Sequence, residues 1–185
     1  MNRSVTAKFL KALSLVLLLF TCTNLTVSAR ELEIDIVKIR QEYERAKHKQ
    51  QTLARQMDCL TKNVYYEAGS EPFEGKLAVA QVTMNRVESG RFPSSVCGVV
   101  YQKDRIEEKT ICQFSWFCEN YQSKLVNRER WGESREAAKK VLMDNVRLPK
   151  LKQALYFHND TVAPQWGKPK VAKIGRHIFY SERRK

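Results

Sequence analysis

Glu67 is the residue whose type and position most directly invite chemistry. The apolar or small residues Leu32, Ile36, Ile39, Tyr43, Ala46, Leu53, Met57, Leu60 and Val64 recur at alternating steps of four and three, with Gln50 the interruption, and so mark one stripe of a helix. Three residues beyond Val64 the same stripe reaches Glu67. A carboxylate on a buried helix face is expensive unless it is paired or used. Tyr65, Tyr66 and Ala68 add an apolar setting, and burial moves a glutamate from about 4.3 towards about 6. Such a carboxyl group holds its proton closer to neutrality than an ordinary glutamate does and can deliver it to a leaving oxygen, as breaking a glycosidic bond requires. The competing reading is an ordinary glutamate on a solvated helix face.

Other side chains offer weaker chemistry. Glu71 and Glu74 are candidates for the second carboxylate of a hydrolase that activates water. They also flank Pro72, where acids are favoured by the dipole of a starting helix. Trp116, Phe117, Tyr156, Trp166 and Tyr180 could stack on sugar rings, although most aromatics are core residues. Trp166, in a loop containing Pro164 and Gly167, is the best exposed candidate. His158 and His177, with Asp160 nearby, could be metal ligands. No close histidine pair supports that, and satisfied or surface histidines are the simpler reading. There is no glycine-rich phosphate loop and no Gly-x-Ser-x-Gly turn.

These residues need elements to place them. The first helix is predicted to end at Gly69, leaving 31 to about 56 as an arm with one apolar stripe. That arm either packs its stripe as a leader helix or pairs with another helix. Pro72 suits the first turn of a second helix, with Ser70 or Glu71 as its cap, and Glu74–Val87 is apolar on most of its circumference. Val96–Tyr101 and Gln113–Phe117 read as two extended pieces forming a hairpin around a polar connection. Ser134–Val146 reads as a third helix capped by Ser134. Ala154–His158 and Ile174–Tyr180 read as strands.

The chain ends and the charge bound the setting. Arg3, Lys8 and Lys11, an apolar run Ala12–Phe20 and the small residues Val27-Ser28-Ala29 predict an export signal over 1–29. The run is much shorter than the about 20 apolar residues of a spanning helix. Its removal lowers the formal net charge from +13 to +10. A field of that sign favours polyanions such as wall polymers, anionic lipid head groups or nucleic acid. The remaining cysteines, Cys59, Cys97, Cys112 and Cys118, are even in number and suit two disulfides in an oxidising compartment. Their spacing lacks the close pairs of common zinc sites. Four cysteines allow three connectivities; Cys59 with Cys97 and Cys112 with Cys118 is the first expectation.

Taken in order, the motifs resemble the bacterial cell-wall hydrolase family that includes the spore-cortex-lytic enzymes. The resemblance rests on Tyr65-Tyr66-Glu67-Ala68, Glu71-Pro72-Phe73-Glu74-Gly75, Leu77 to Gln81 and Asn85-Arg86-Val87. It continues through Phe92-Pro93 to Tyr101, Cys112-Gln113-Phe114-Ser115-Trp116, Ala154 to His158, Pro164-Gln165-Trp166 and Ile174 to Tyr180. It runs from about Met57 to Tyr180 without a missing block. Gly69-Ser70 departs from the family's frequent Arg-Gly, and the separate wall-binding repeat of the family is absent from this chain.

The resemblance implies an α+β fold: a mainly helical, lysozyme-like domain over 57–182 with a small antiparallel sheet, preceded by a helical arm over 30–56. It implies a lytic transglycosylase acting on peptidoglycan, in which Glu67 protonates the bond between N-acetylmuramic acid and N-acetylglucosamine. As a carboxylate, Glu67 then helps the muramic 6-hydroxyl close an anhydro ring. Gln113, Ser115, Tyr156, Trp166 and His177 are expected to line the cleft. No metal or other cofactor is implied. The partners expected are peptidoglycan and other anionic envelope polymers, in the periplasm, envelope or medium, with no nucleic acid. A muramidase, an amidase cutting the peptide stem, and a non-enzymatic wall-binding module remain the alternatives.

Overall fold

The computed structural model describes residues 3–119 and 126–183 and, within its first helix, the side chains of residue 33 and of 35 onward. The predicted signal segment, 1–29, lies outside those side chains. The chain divides into two units, 1–51 and 52–185. Helix α1 spans Arg3–Ala68. In the first unit its stripe is not buried: Ile36, Ile39 and Tyr43 are 60%, 65% and 63% exposed. The expectation of a leader helix with one packed face is therefore corrected for these turns, whose apolar side chains meet solvent. Among the described residues no helix is long and apolar enough to cross a membrane.

In the second unit the stripe sinks into protein. Leu60 and Val64 are fully buried and pack with Val79, Ala80, Val99, Val100, Phe114, Trp116, Ala137, Ala138 and Val141. Burying each Val or Leu side chain stabilises the fold by about 1.5–3 kcal/mol before ordering costs. Helix α1 ends at Ala68; the Gly69 N–H still closes a helical bond to the Tyr65 carbonyl at 3.0 Å, in a backbone conformation where a Cβ would collide with that oxygen. Helix α2, Phe73–Glu88, comes next with Pro72 itself in the cap position, so neither Ser70 nor Glu71 caps it. Its other face buries Ala78 and Val82 against Leu151, Ala154, Ile174 and Phe179. It thus lies between two apolar clusters, as a helix apolar around most of its circumference must.

Polar side chains of α2 fasten the C-terminal third of the chain to it. Gln81 exchanges two hydrogen bonds with the Leu148 backbone, at 3.2 and 2.6 Å. Asn85 donates to the carbonyls of Leu151 and Ala154, both at 2.8 Å, and Arg86 Nε donates to the Leu155 carbonyl at 2.8 Å. On its opposite side Thr83 joins Asn63 of α1, whose amide oxygen accepts from the Trp116 indole at 3.1 Å.

The segment after α2 differs from expectation. Val96–Val100 is a short helix, α3, capped by Ser95, whose Oγ accepts from the Gly98 N–H. The hairpin lies in the polar connection instead: β1, Lys103–Ile106, pairs antiparallel with β2, Lys109–Cys112. Nearly all its side chains are exposed, so no apolar alternation marks it in the sequence. Ser115–Cys118 is a second short helix, α4. Helix α5 spans Arg128–Leu142 and is capped by Asn127; Ser134, predicted as the cap, is buried mid-helix and bonds back to the Arg130 carbonyl. A 3-10 turn at Pro149–Leu151 leads to β3, Ala154–Asn159. The predicted last strand, Ile174–Tyr180, is mostly β5, His177–Ser181; an unpredicted strand, β4 at Lys170–Ile174, precedes it and turns into it at Gly175 with φ of +56°. The sheet order is β3-β5-β4, all antiparallel.

Both expected disulfides are present. Cys59–Cys97 ties α1 to α3, and Cys112–Cys118 ties β2 to α4.

Candidate active site

Glu67 occupies the last turn of α1, one residue before the helix ends. It borders two cavities of about 350 and 210 Å³ that share Glu67, Ser115 and Phe157. The larger adds Tyr66, Trp116, Glu119, His158, Asn159 and His177. The smaller adds Arg86, Gln113, Phe114, Tyr156 and Trp166. Every residue predicted to line the cleft, Gln113, Ser115, Tyr156, Trp166 and His177, therefore stands around Glu67, drawn there from four separate stretches of chain.

Packing sets the electrostatics. Glu67 is half-buried, and desolvation pushes its carboxyl up to about 7. Arg86 opposes that rise and Glu119 adds to it. Burial also lowers Arg86, to about 10, with Glu67 pulling the other way. The Arg86 guanidinium is sandwiched at 5.2 Å from the Phe92 ring and 5.1 Å from Phe114, and its Nη1 is buried without a hydrogen-bond partner. His177 is 3% exposed and its Nδ1 likewise has none. Burial lowers that imidazole from its ordinary range, which favours the neutral form.

The remaining candidates have other roles. The Glu71 carboxylate accepts from the Arg176 N–H at 2.9 Å and Glu74 pairs with Lys150 at 2.7 Å; neither borders the cavities around Glu67. Both therefore take the structural one of the two readings open to acids beside Pro72. Trp116 is core, stacked on Tyr66 with centroids 4.6 Å apart. His158 is satisfied, with Nδ1 at 2.8 Å from the Asn159 carbonyl and Nε2 at 2.9 Å from the Tyr180 hydroxyl. Asp160 is held by Lys173 and Arg176. Among the described residues no group of three His, Cys, Asp or Glu side chains is placed to hold a metal ion. Trp166 is 44% exposed beside Tyr156, which donates to Glu182 at 2.6 Å and lies under Lys168 at 4.0 Å.

Arg86, Phe157 and Glu119 are site residues that sequence reasoning did not single out. Arg86 had a signal, being a cation in a helix otherwise apolar on most sides. Glu119 had none, since its place on the rim depends on the α4 turn.

Residues 70–180 match the Cell Wall Hydrolase family. The chain belongs to the cell wall hydrolase family. The matched stretch begins just after Glu67. The chain is 30% identical over 124 residues to the spore cortex-lytic enzyme of Bacillus subtilis (strain 168), covering 65% of this chain and 35% of that protein. With the Bacillus cereus spore cortex-lytic enzyme it is 31% identical over 127 residues, 66% of this chain and 43% of the relative. It thus spans well under half the length of these relatives.

Solved structures extend the likeness to the fold. The catalytic domain of the Bacillus cereus SleB protein superposes with a TM-score of 0.53 at 29% identity, over 68% of this chain and 89% of that one. The catalytic domain of the germination-specific lytic transglycosylase SleB from Bacillus anthracis gives 0.53 at 30%, over 68% and 93%. This cell wall hydrolase domain is accordingly lysozyme-like, mostly helical with small antiparallel sheets.

Proposed function

We propose that the domain over 57–182 cuts the glycan strands of peptidoglycan between N-acetylmuramic acid and N-acetylglucosamine as a lytic transglycosylase. The observation that carries this reading is a single glutamate pushed up to about 7 by burial where two cavities meet. A strand lying across both cavities would present its glycosidic oxygen to a carboxyl group that is about half protonated at neutral pH. The Glu67 proton passes to that oxygen as the bond to the muramic C1 breaks. The resulting carboxylate then takes the proton of the muramic 6-hydroxyl while its oxygen bonds to C1, closing the anhydro ring and returning Glu67 to its starting state. Because the nucleophile is within the sugar, positioning replaces an activated water.

Trp166 and Tyr156 offer ring faces to one sugar, and Gln113, Ser115 and His177 offer polar atoms near the acid. The related Bacillus anthracis domain is named a lytic transglycosylase, which favours the same reaction here. The family and the predicted signal together support action outside the cytoplasm. The basic surface would hold the anionic wall, other envelope polymers included.

Glu119 favours a second reading. It is exposed on the rim of the larger cavity and acts on Glu67 through its charge, so it could activate water for an ordinary muramidase. Mass spectrometry of peptidoglycan digested by the protein separates the two. Anhydromuramic ends that vanish with Glu67→Gln and persist with Glu119→Gln support the transglycosylase; reducing ends lost with both variants support the muramidase. Released stem peptides or no products from folded protein would overturn both.

A further inference from the structure

We propose that residues 32–53 form a parallel, in-register two-stranded coiled coil with a second copy of this chain. The proposal is independent of the reaction assigned to Glu67. In heptad terms Ile36, Tyr43 and Gln50 fall at a, and Leu32, Ile39, Ala46 and Leu53 at d, with no step out of register. The helix is continuous through these residues. Large apolar a/d side chains face water from Ile36 onward: Ile36 is 60% exposed, Ile39 65%, Tyr43 63% and Leu53 38%. A row of large apolar side chains with this spacing, left in solvent by its own chain, is the half-interface that a facing helix would complete.

Charge identifies the partner and its direction. The g positions are Asp35, Glu42 and Lys49, and the e positions Glu33, Arg40, Lys47 and Ala54. In a parallel pair each g side chain meets the e side chain five residues further along the partner. Asp35 then meets Arg40 and Glu42 meets Lys47, on both flanks of the seam, while Lys49 faces the neutral Ala54. An antiparallel pair would set e against e and g against g, and its overlapping registers bring Arg40 against Arg40 with Glu42 against Glu42, or Arg40 against Lys47, contacts that like charges oppose and the parallel pair avoids. The e and g residues therefore complement a second copy of themselves in one orientation. Within one chain Asp35 lies 3.9 Å from Lys38, both well exposed, a contact weak enough to yield to an interchain pair. Gln50 forms the one polar layer of the seam, which fixes register because any slip would leave its amide among apolar side chains.

Sedimentation equilibrium of the full chain tests this, beside two charge variants. Arg40→Glu with Lys47→Glu makes every e and g charge but Lys49 acidic, and Asp35→Lys with Glu42→Lys makes every one but Glu33 basic. Wild type is expected at twice its 21.6 kDa. Each variant alone should associate about tenfold more weakly or worse, and an equimolar mixture of the two should regain the paired mass. All four positions are exposed, so domain folding, followed by thermal melting, should not change. A single-chain mass for wild type, a trimer, association that survives in both variants separately, or failure of the mixture to pair would each overturn the proposal. A single chain that still cuts glycan strands would do so while leaving the reading of Glu67 intact.

Discussion

Glu67 and Arg86 face the same small cavity with opposite charges and opposite displacements, the acid pushed up to about 7 and the guanidinium down to about 10. Each favours the other's charged form, and for both the loss of water outweighs that attraction. Had the pair formed a full salt bridge in water, Glu67 would have surrendered its proton well below neutrality. Partial opposition by Arg86 instead leaves the acid poised near the pH at which it would have to give and take a proton.

Removing the carboxyl should have two separable effects. Glu67→Gln is expected to lower wall cleavage by about 100- to 10,000-fold, the usual worth of a general acid. The folded carboxyl sits at about 7 against 4.5 for its ordinary value, so the folded state binds this proton more tightly than the unfolded one. That stabilisation is fully present below about 4.5 and is lost as pH rises through about 7. At pH 8 the neutral amide relieves a buried charge, so the variant should be more stable than wild type by about 3 kcal/mol, with no such gain at pH 4. Urea melts at the two pH values read this directly; a variant less stable at pH 8 would contradict the buried-acid description.

Arg86→Met takes away the charge that restrains Glu67, so the alkaline limb of the pH–rate profile should move to higher pH. The same variant frees the Leu155 carbonyl from its 2.8 Å bond and should cost about 1–3 kcal/mol of stability. An unchanged or lowered limb in protein that remains folded would show that Arg86 does not act on the acid.

Trp166→Ala should raise KM about tenfold with little change in kcat or melting temperature, because the ring is 44% exposed and lies at the cavity rim. A fall in kcat alone, or a large loss of stability, would place the ring in the core instead of under a sugar.

The disulfides should differ in kind. Cys59–Cys97 closes a sequence separation of 38 residues and Cys112–Cys118 one of 6, so loop entropy predicts losses of about 4 and about 2 kcal/mol respectively when each is replaced by alanine pairs. The shorter bridge clasps the turn carrying Gln113 and Ser115, so its loss should reduce cleavage more than its stability cost suggests. Melting and activity of the two double variants decide this.

Where burial follows one period the sequence was readable. The step from Val64 to Glu67 located the acid, and the apolar circumference of α2 located the helix between two clusters. Where it does not, it failed: β1 and β2 bury almost nothing, α3 owes its start to one Ser95 hydroxyl, and β4 is too exposed to show an alternation. The cleft residues came from the family resemblance, since no local pattern brings Gln113, Tyr156 and His177 to one acid. The exposure of Ile36 and Tyr43 was equally hidden, because periodicity marks a sticky face and says nothing of what covers it.

The hydrogen bond from the Arg176 N–H to Glu71 joins residues 105 apart in sequence. Glu71 stands in the turn directly after the Glu67 helix, and Gly175 leaves room for its carboxylate where any Cβ would strike it. During synthesis the helix bearing the acid emerges long before the hairpin that seats this turn and carries His177. A chain halted short of residue 176 would hold its proton donor on a finished helix beside an unfinished groove, so the acid is made early and armed late.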